Sequence, residues 1–232
     1  MKKHTKVEEF YINVINCNKR CPTPIWIERE KGIIPRGFYF GNPSPKILVV
    51  GKNPGHPLAC EDFRGLKGRK LYEKYKNFQD NCLRNLMLSN NASTNFLRNL
   101  HRYLIKILID QDLDLDKLDG KEKKNAIDEI YKRVGRTNLV KCSTEKERQQ
   151  LTNKWADTCY REFFLDEIKL LSPKIIVPLG REVSEYLKEH KDDLTNIALT
   201  DELKHPSRPY RKDSEEERDA IGKIKNTIEE FL

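Results

Sequence analysis

The sequence predicts an α/β fold: a three-layer α/β/α domain around a central, mostly parallel four-stranded sheet. Two observations predict it. Short, β-branched apolar runs of strand length recur four times. Long stretches with the apolar–polar period of helices separate them, and strands alternating with helices pair in parallel with helices on both faces. The 232 residues suit one such domain, 1–232, with a sizeable core.

The first run, Lys46–Gly51 (KILVVG), ends in a glycine turn. Tyr72 to Tyr131 alternates charged and apolar residues and holds two or three helices, so residues 72–134 read as a helical insertion. The second run is Thr137–Lys141 (TNLVK). Glu145 to Leu171 reads as one helix, with Trp155, Cys159, Phe163 and Ile168 near helical spacing. The third run, Lys174–Gly180 (KIIVPLG), contains Pro178, which donates no ladder hydrogen bond; this argues against a central strand and places the proline at a strand end. Helices over Arg181–Glu189 and Glu215–Leu232 flank the fourth run, Ile197–Thr200. The acidic stretch Asp110–Asp119 (DQDLDLDKLD) lacks the glycine and closing glutamate of a calcium loop and reads as a solvated linker.

Forty-four Lys and Arg against 36 Asp and Glu give a net charge of +8, the balance of a chain that meets nucleic acid. No apolar run approaches the roughly 20 residues that span a bilayer. Glu8 and Glu9 interrupt the N-terminal segment where a secretory signal would be apolar. The expectation is a soluble, intracellular chain with no membrane partner. Thiols stay reduced there, so the six cysteines bind metal or are buried rather than paired in disulfides. Cys17 and Cys21 stand in NCNKRCP, and Cys142 and Cys159 flank the start of a helix. Four thiolates in two pairs suit a 4Fe-4S cluster or a structural zinc. Cys60 and Cys82 read as buried thiols.

Three segments follow predicted strands, where parallel sheets place their ligand sites. Gly51-Lys52-Asn53-Pro54-Gly55-His56-Pro57 is a tight loop whose glycines let backbone approach a ligand; it lacks the spacing and Lys-Ser/Thr ending of a phosphate-binding loop. Thr137-Asn138-Leu139-Val140-Lys141-Cys142 puts an Asn at a strand edge. Its side-by-side carbonyl and amide match the N3–H donor and O4 acceptor of uracil and mismatch cytosine. His205-Pro206-Ser207-Arg208-Pro209-Tyr210-Arg211 offers a histidine donor, with two arginines and a tyrosine able to meet phosphates and bases.

Together these segments resemble the motifs of the uracil-DNA glycosylase superfamily. GKNPG resembles its first motif, a glycine-bounded loop holding the residue that positions water, and HPS its second, leaving-group motif. The likeness is greatest to the iron–sulfur branch, family 4, in which an NVVKC-like strand, a helix cysteine, a strand ending LGR, and HPS follow in order. The counterparts here are Asn138–Cys142, Cys159, Pro178–Arg181 and His205–Ser207, and the likeness covers 17–60 and 136–211. Two departures are visible. The first cysteine pair is C-x3-C rather than C-x2-C. The loop carries Lys52 and Asn53, closer to the GINPG or GMNPG of the mismatch-specific and single-strand-selective branches than to GEAPG.

The resemblance implies one glycosylase-like domain, a monomer, cytoplasmic and nucleoid-associated, acting on DNA that contains uracil or another deaminated base. It implies a structural 4Fe-4S cluster on Cys17, Cys21, Cys142 and Cys159, with zinc as the alternative. Asn53 would orient the attacking water, His205 would donate to uracil O2, and Asn138 would read the base edge. Gly51, Lys52, Pro54, Gly55 and Ser207 would line the substrate site. Phe63, with Tyr72 as rival, would stack on the base. Arg208 and Arg211 would anchor phosphates or help fill the hole left by the flipped base. The alternatives are a non-catalytic nucleic-acid binder of the same fold and, more remotely, an iron–sulfur redox protein.

Overall fold

The computed structural model describes residues 3–18, 25–36, 38–39, 42, 44–54, 62–79, 95–144 and 153–232. Its elements in chain order are α1 (Lys3–Ile15), β1 (Ile25–Trp26), β2 (Phe38–Tyr39), β3 (Ile47–Gly51) and α2 (Gly68–Asn77). Next come α3 (Asn95–Leu108), α4 (Gly120–Arg133), β4 (Val134–Asn138), β5 (Ser143–Thr144), α5 (Asn153–Cys159) and α6 (Leu165–Leu171). The chain closes with β6 (Ile175–Pro178), α7 (Arg181–Glu189), β7 (Ala198–Leu199) and α8 (Glu215–Phe231).

Four parallel strands in the order β4-β3-β6-β7 form the sheet, with helices on both faces, as the alternation of elements predicts. A two-residue edge strand, β2, joins β4 antiparallel; its length falls below what apolar periodicity can reveal. β1 and β5 make a separate antiparallel ribbon. Strand β6 lies between β3 and β7, an interior position that Pro178 argued against. The proline is accommodated as the last residue of β6, beyond Ile175 and Ile176, which pair with β7.

The period of two along each strand sorts the core into two layers. Ile47, Val49, Val134, Ile175 and Val177 pack with Leu100, Tyr103 and Leu104 of α3, Ile130 of α4, and Ile221, Ile224 and Ile228 of α8. Leu48, Val50 and Ile176 face the other way, onto Tyr160, Phe164 and Ile168 and onto Val183 and Leu187 of α7. Helices α3 and α4, from the segment read as a helical insertion, thus form part of one covering layer of the sheet. A third cluster joins α1 and α2 through Val14, Ile15, Ile34, Phe63, Leu71 and Tyr75.

The helix expected over 145–171 is described from Asn153 onward, and a five-residue π turn, Tyr160–Phe164, follows Cys159. Asp110–Asp119 is more than a solvated linker. Arg98 pairs with Asp116 at 2.7 Å and Lys212 with Asp114 at 3.0 Å, which ties this segment to α3 and to the approach to α8. Among the described residues no helix is long and apolar enough to cross a membrane.

Candidate active site

Strand β3 starts near the middle of the sheet. The chain goes from it to β4 on one side and later to β6 on the other, so a crevice opens beyond the carboxyl ends of these strands. All three sequence motifs converge there. Gly51, the last residue of β3, pairs in register with Asn138, the last of β4. A Cβ at position 51 would collide with Oδ1 of Asn138, so glycine is what lets the amide lie across the strand end. Beyond the ladder, the Leu139 N–H donates to the Gly51 carbonyl and the Val140 N–H to the Lys52 carbonyl, both at 2.9 Å. These bonds fasten the first loop to the second. Asn138 is 6% exposed.

The third motif arrives through the turn after β6. Gly180 has φ of +86°, a backbone region open to glycine, and its Cα faces the His205 side chain, where a Cβ would come within 3.3 Å. The Gly180 N–H donates to the Leu203 carbonyl at 2.7 Å. Lys52 pairs with Glu182 on α7 at 2.5 Å, linking the GKNPG loop to the PLGR turn. Asn53 donates through Nδ2 to the carbonyl of Pro54 at 3.0 Å. Gly55 lies outside the described residues.

His205 accepts a hydrogen bond at Nδ1 from the Ser207 backbone N–H, 3.3 Å away, which leaves Nε2 to carry the ring proton. Burial, then the charges of Lys52 and Arg208, push its pKa below the usual 6.5. The ring is therefore neutral at neutral pH and presents one N–H donor. Phe96 of α3 packs against it, ring centres 5.4 Å apart, and Asn99 donates to the Pro206 carbonyl at 2.9 Å. Ser207, Arg208 and Arg211 are exposed around it. Tyr210 departs from expectation. It is 7% exposed and its N–H donates to the Tyr103 hydroxyl, so it anchors the loop in the core and does not face outward.

Phe63 and Tyr72, the two aromatic candidates, both sit in the cluster beneath α1 and α2, 2% and 4% exposed. The Phe63 ring makes edge contacts with Tyr75 and Phe78 at 5.7 Å each. The aromatic ring that meets His205 is Phe96, which belongs to none of the motifs. Arg136, two residues before Asn138 on β4, lies over the Phe96 ring at 5.4 Å. Period-two alternation puts Arg136 on the Asn138 face, and that much is legible in the sequence.

Lys141 of the second motif points away from the crevice. Fully buried, it pairs with buried Glu167 at 2.5 Å, and the hydroxyls of Thr137 and Tyr11 also donate to that carboxylate at 2.9 Å. Burial and Glu167 hold the Tyr11 hydroxyl well above its ordinary pKa. Next to this network, Cys17, Cys142 and Cys159 line one small cavity together with Pro35, Lys141, Thr158, Glu162 and Phe163. All three are thiols outside any disulfide. Cys21, Cys60 and Cys82 lie outside the described residues. Among the described residues no three His, Cys, Asp or Glu side chains are grouped as ligands of a metal ion.

A doubly wound α/β domain with its motif loops gathered at the carboxyl ends of parallel strands is an architecture that binds ligands at that end. The family model of the uracil DNA glycosylase superfamily matches residues 38–228, and the chain belongs to that superfamily. A solution NMR structure of a candidate uracil DNA glycosylase from Methanosarcina acetivorans is similar over 83% of this chain and 98% of its own, at 12% identity and a TM-score of 0.45.

Proposed function

We propose that this protein is a DNA glycosylase that hydrolyses the N-glycosidic bond of uracil, or a related deaminated base, in DNA. The observation that carries the reading is the meeting of the Gly51–Asn138 register pair and a neutral His205 at one strand-end crevice. Glycosidic cleavage requires a flipped base held by its edge, a donor for the leaving anion and a placed water. Asn138 offers the paired donor and acceptor that fit uracil. His205 offers Nε2–H to O2 as charge gathers there. Asn53, its Nδ2 engaged by Pro54, keeps its amide oxygen for orienting the water at C1′. An amide is no strong base, so its role is orientation. Lys52, Pro54 and Ser207 shape the rim, and Arg208 and Arg211 meet phosphates.

Within the superfamily, the order of NLVKC, Cys159, PLGR and HPS supports the iron–sulfur type, combined with an Asn-type loop. Three of the four proposed thiolates share one cavity, which suits the cluster's donor set. A 4Fe-4S cubane takes one thiolate at each of four separated irons, so its sulfurs spread wider than around a single zinc. Bound there, the cluster would supply structural cross-linking between the N-terminal segment, the end of β4 and α5. Cys17, Cys21, Cys142 and Cys159 would hold it.

The test is incubation of the purified protein with a single-uracil oligonucleotide, followed by alkali. Strand cleavage at the uracil is expected. Binding without cleavage would instead identify a non-catalytic nucleic-acid binder.

A further inference from the structure

The face of β4 that carries Asn138 also carries Arg136, since residues two apart on a strand point to one side of the sheet. Helix α3 covers that side. Phe96, near its start, touches Arg136 of β4 and His205 of the loop after β7, each at 5.4 Å, and so spans the end of β3 where Gly51 lies. One guanidinium nitrogen of Arg136, Nη1, is buried with no hydrogen-bond partner, and among the described residues Arg136 forms no ion pair. The Arg136 charge also acts on His101, fully buried, whose pKa is lowered to about 3 by burial first and that charge second; the imidazole is neutral and supplies no counter-charge. A buried N–H with nothing to accept from it costs free energy, and each such group in a native structure asks for a partner.

We propose that Arg136 is a specificity-determining residue of the base site, its Nη1–H donating to a carbonyl oxygen on the ring edge of the flipped base. The proposal rests on the glycosylase reading above. A guanidinium laid on an aromatic ring keeps its N–H groups in its own plane, directed sideways at a neighbouring acceptor. The acceptor is a base oxygen and not a phosphate because Nη1 is the buried end of a half-buried side chain packed on Phe96, whereas backbone phosphates stay at the surface with Arg208 and Arg211. A positive charge there favours bases whose edge oxygen gains negative charge as the glycosidic bond breaks, and disfavours bases with an amino group at that position.

The experiment compares the parent protein with Arg136→Met and Arg136→Lys in three measurements: single-turnover uracil excision, DNA affinity across a salt series, and melting temperature. Arg136→Met should slow excision on the order of 10²–10³-fold, the usual cost of one preorganised donor. DNA affinity and its salt slope should not change, and the variant should melt no lower than the parent, because it leaves no buried N–H without an acceptor. Arg136→Lys keeps the charge but not the fork, and should lose at least ten-fold, including the case in which the Met variant does not fold. Unchanged excision overturns the proposal. So does a salt slope reduced by about 0.9 with chemistry intact, which would make Arg136 a phosphate contact, or a lower melting temperature with a parental rate, which would make it structural. A parent that binds DNA and cuts no uracil contradicts the glycosylase reading itself, and an active parent with equally active variants contradicts Arg136 alone.

Discussion

At position 51 a single hydrogen in place of a methyl group decides whether two loops can share one crevice. The Asn138 amide occupies the space where a side chain would stand, and the pairing of Gly51 with Asn138 fixes the register of that meeting. On the proposed function, base choice rests on the same amide. Asn138→Asp exchanges the donor for an acceptor, so uracil excision should fall sharply and some cytosine excision should emerge; Asn138→Ala should lose uracil without gaining cytosine. Oligonucleotides differing only in uracil or cytosine at one position check both variants. Parental uracil cutting by both would remove Asn138 from the base site. The identities of Gly51, Asn138 and His205 were legible because each stands in a short motif after a strand. Phe96 was not, because its contact with His205 is made across the fold by a helix with no motif of its own. The Phe63 ring, expected to stack on the base, packs in the α1–α2 cluster.

Among the elements, β4 shows why boundaries slip. The apolar letters of TNLVK suggest a strand over 137–141, yet the ladder runs from Val134 to Asn138 because its partner β3 ends at Gly51. Leu139 and Val140 still donate to the first loop, and Arg136, a charged residue inside the strand, hid its N-terminal half. The helices over 181–189 and 215–231 were plain from their period. The buried Lys141–Glu167 pair joins the end of β4 to α6, and Tyr11 brings α1 to the same carboxylate. Lys141→Met strands that carboxylate without its cation and should cost about 3–5 kcal/mol, read by urea unfolding. A loss under about 1 kcal/mol would show that the hydroxyls of Thr137 and Tyr11 suffice.

For the whole molecule, the parallel sheet and its two helical layers were legible because strand-length and helix-length patterns alternate along the chain. The convergence of Cys17, Cys142 and Cys159 is not legible in their spacing, which shows only pairs. Their common cavity depends on α1, the end of β4 and α5 folding against one another. Protein purified without oxygen should be brown, with broad absorption near ~400 nm and about four irons per chain, as four-thiolate ligation implies. Colourless protein with one zinc per chain would keep the ligands and remove the cluster. The account as a whole depends on the strand-end crevice being the place where the base is released, with His205 as the donor. The most direct measurement is single-turnover uracil excision by the parent and by His205→Ala, with DNA affinity measured in parallel. Loss of that neutral donor should slow the chemical step on the order of 10²–10³-fold and leave affinity nearly unchanged. Weakened binding with an unaltered chemical step would make His205 a DNA contact, and would contradict the site described.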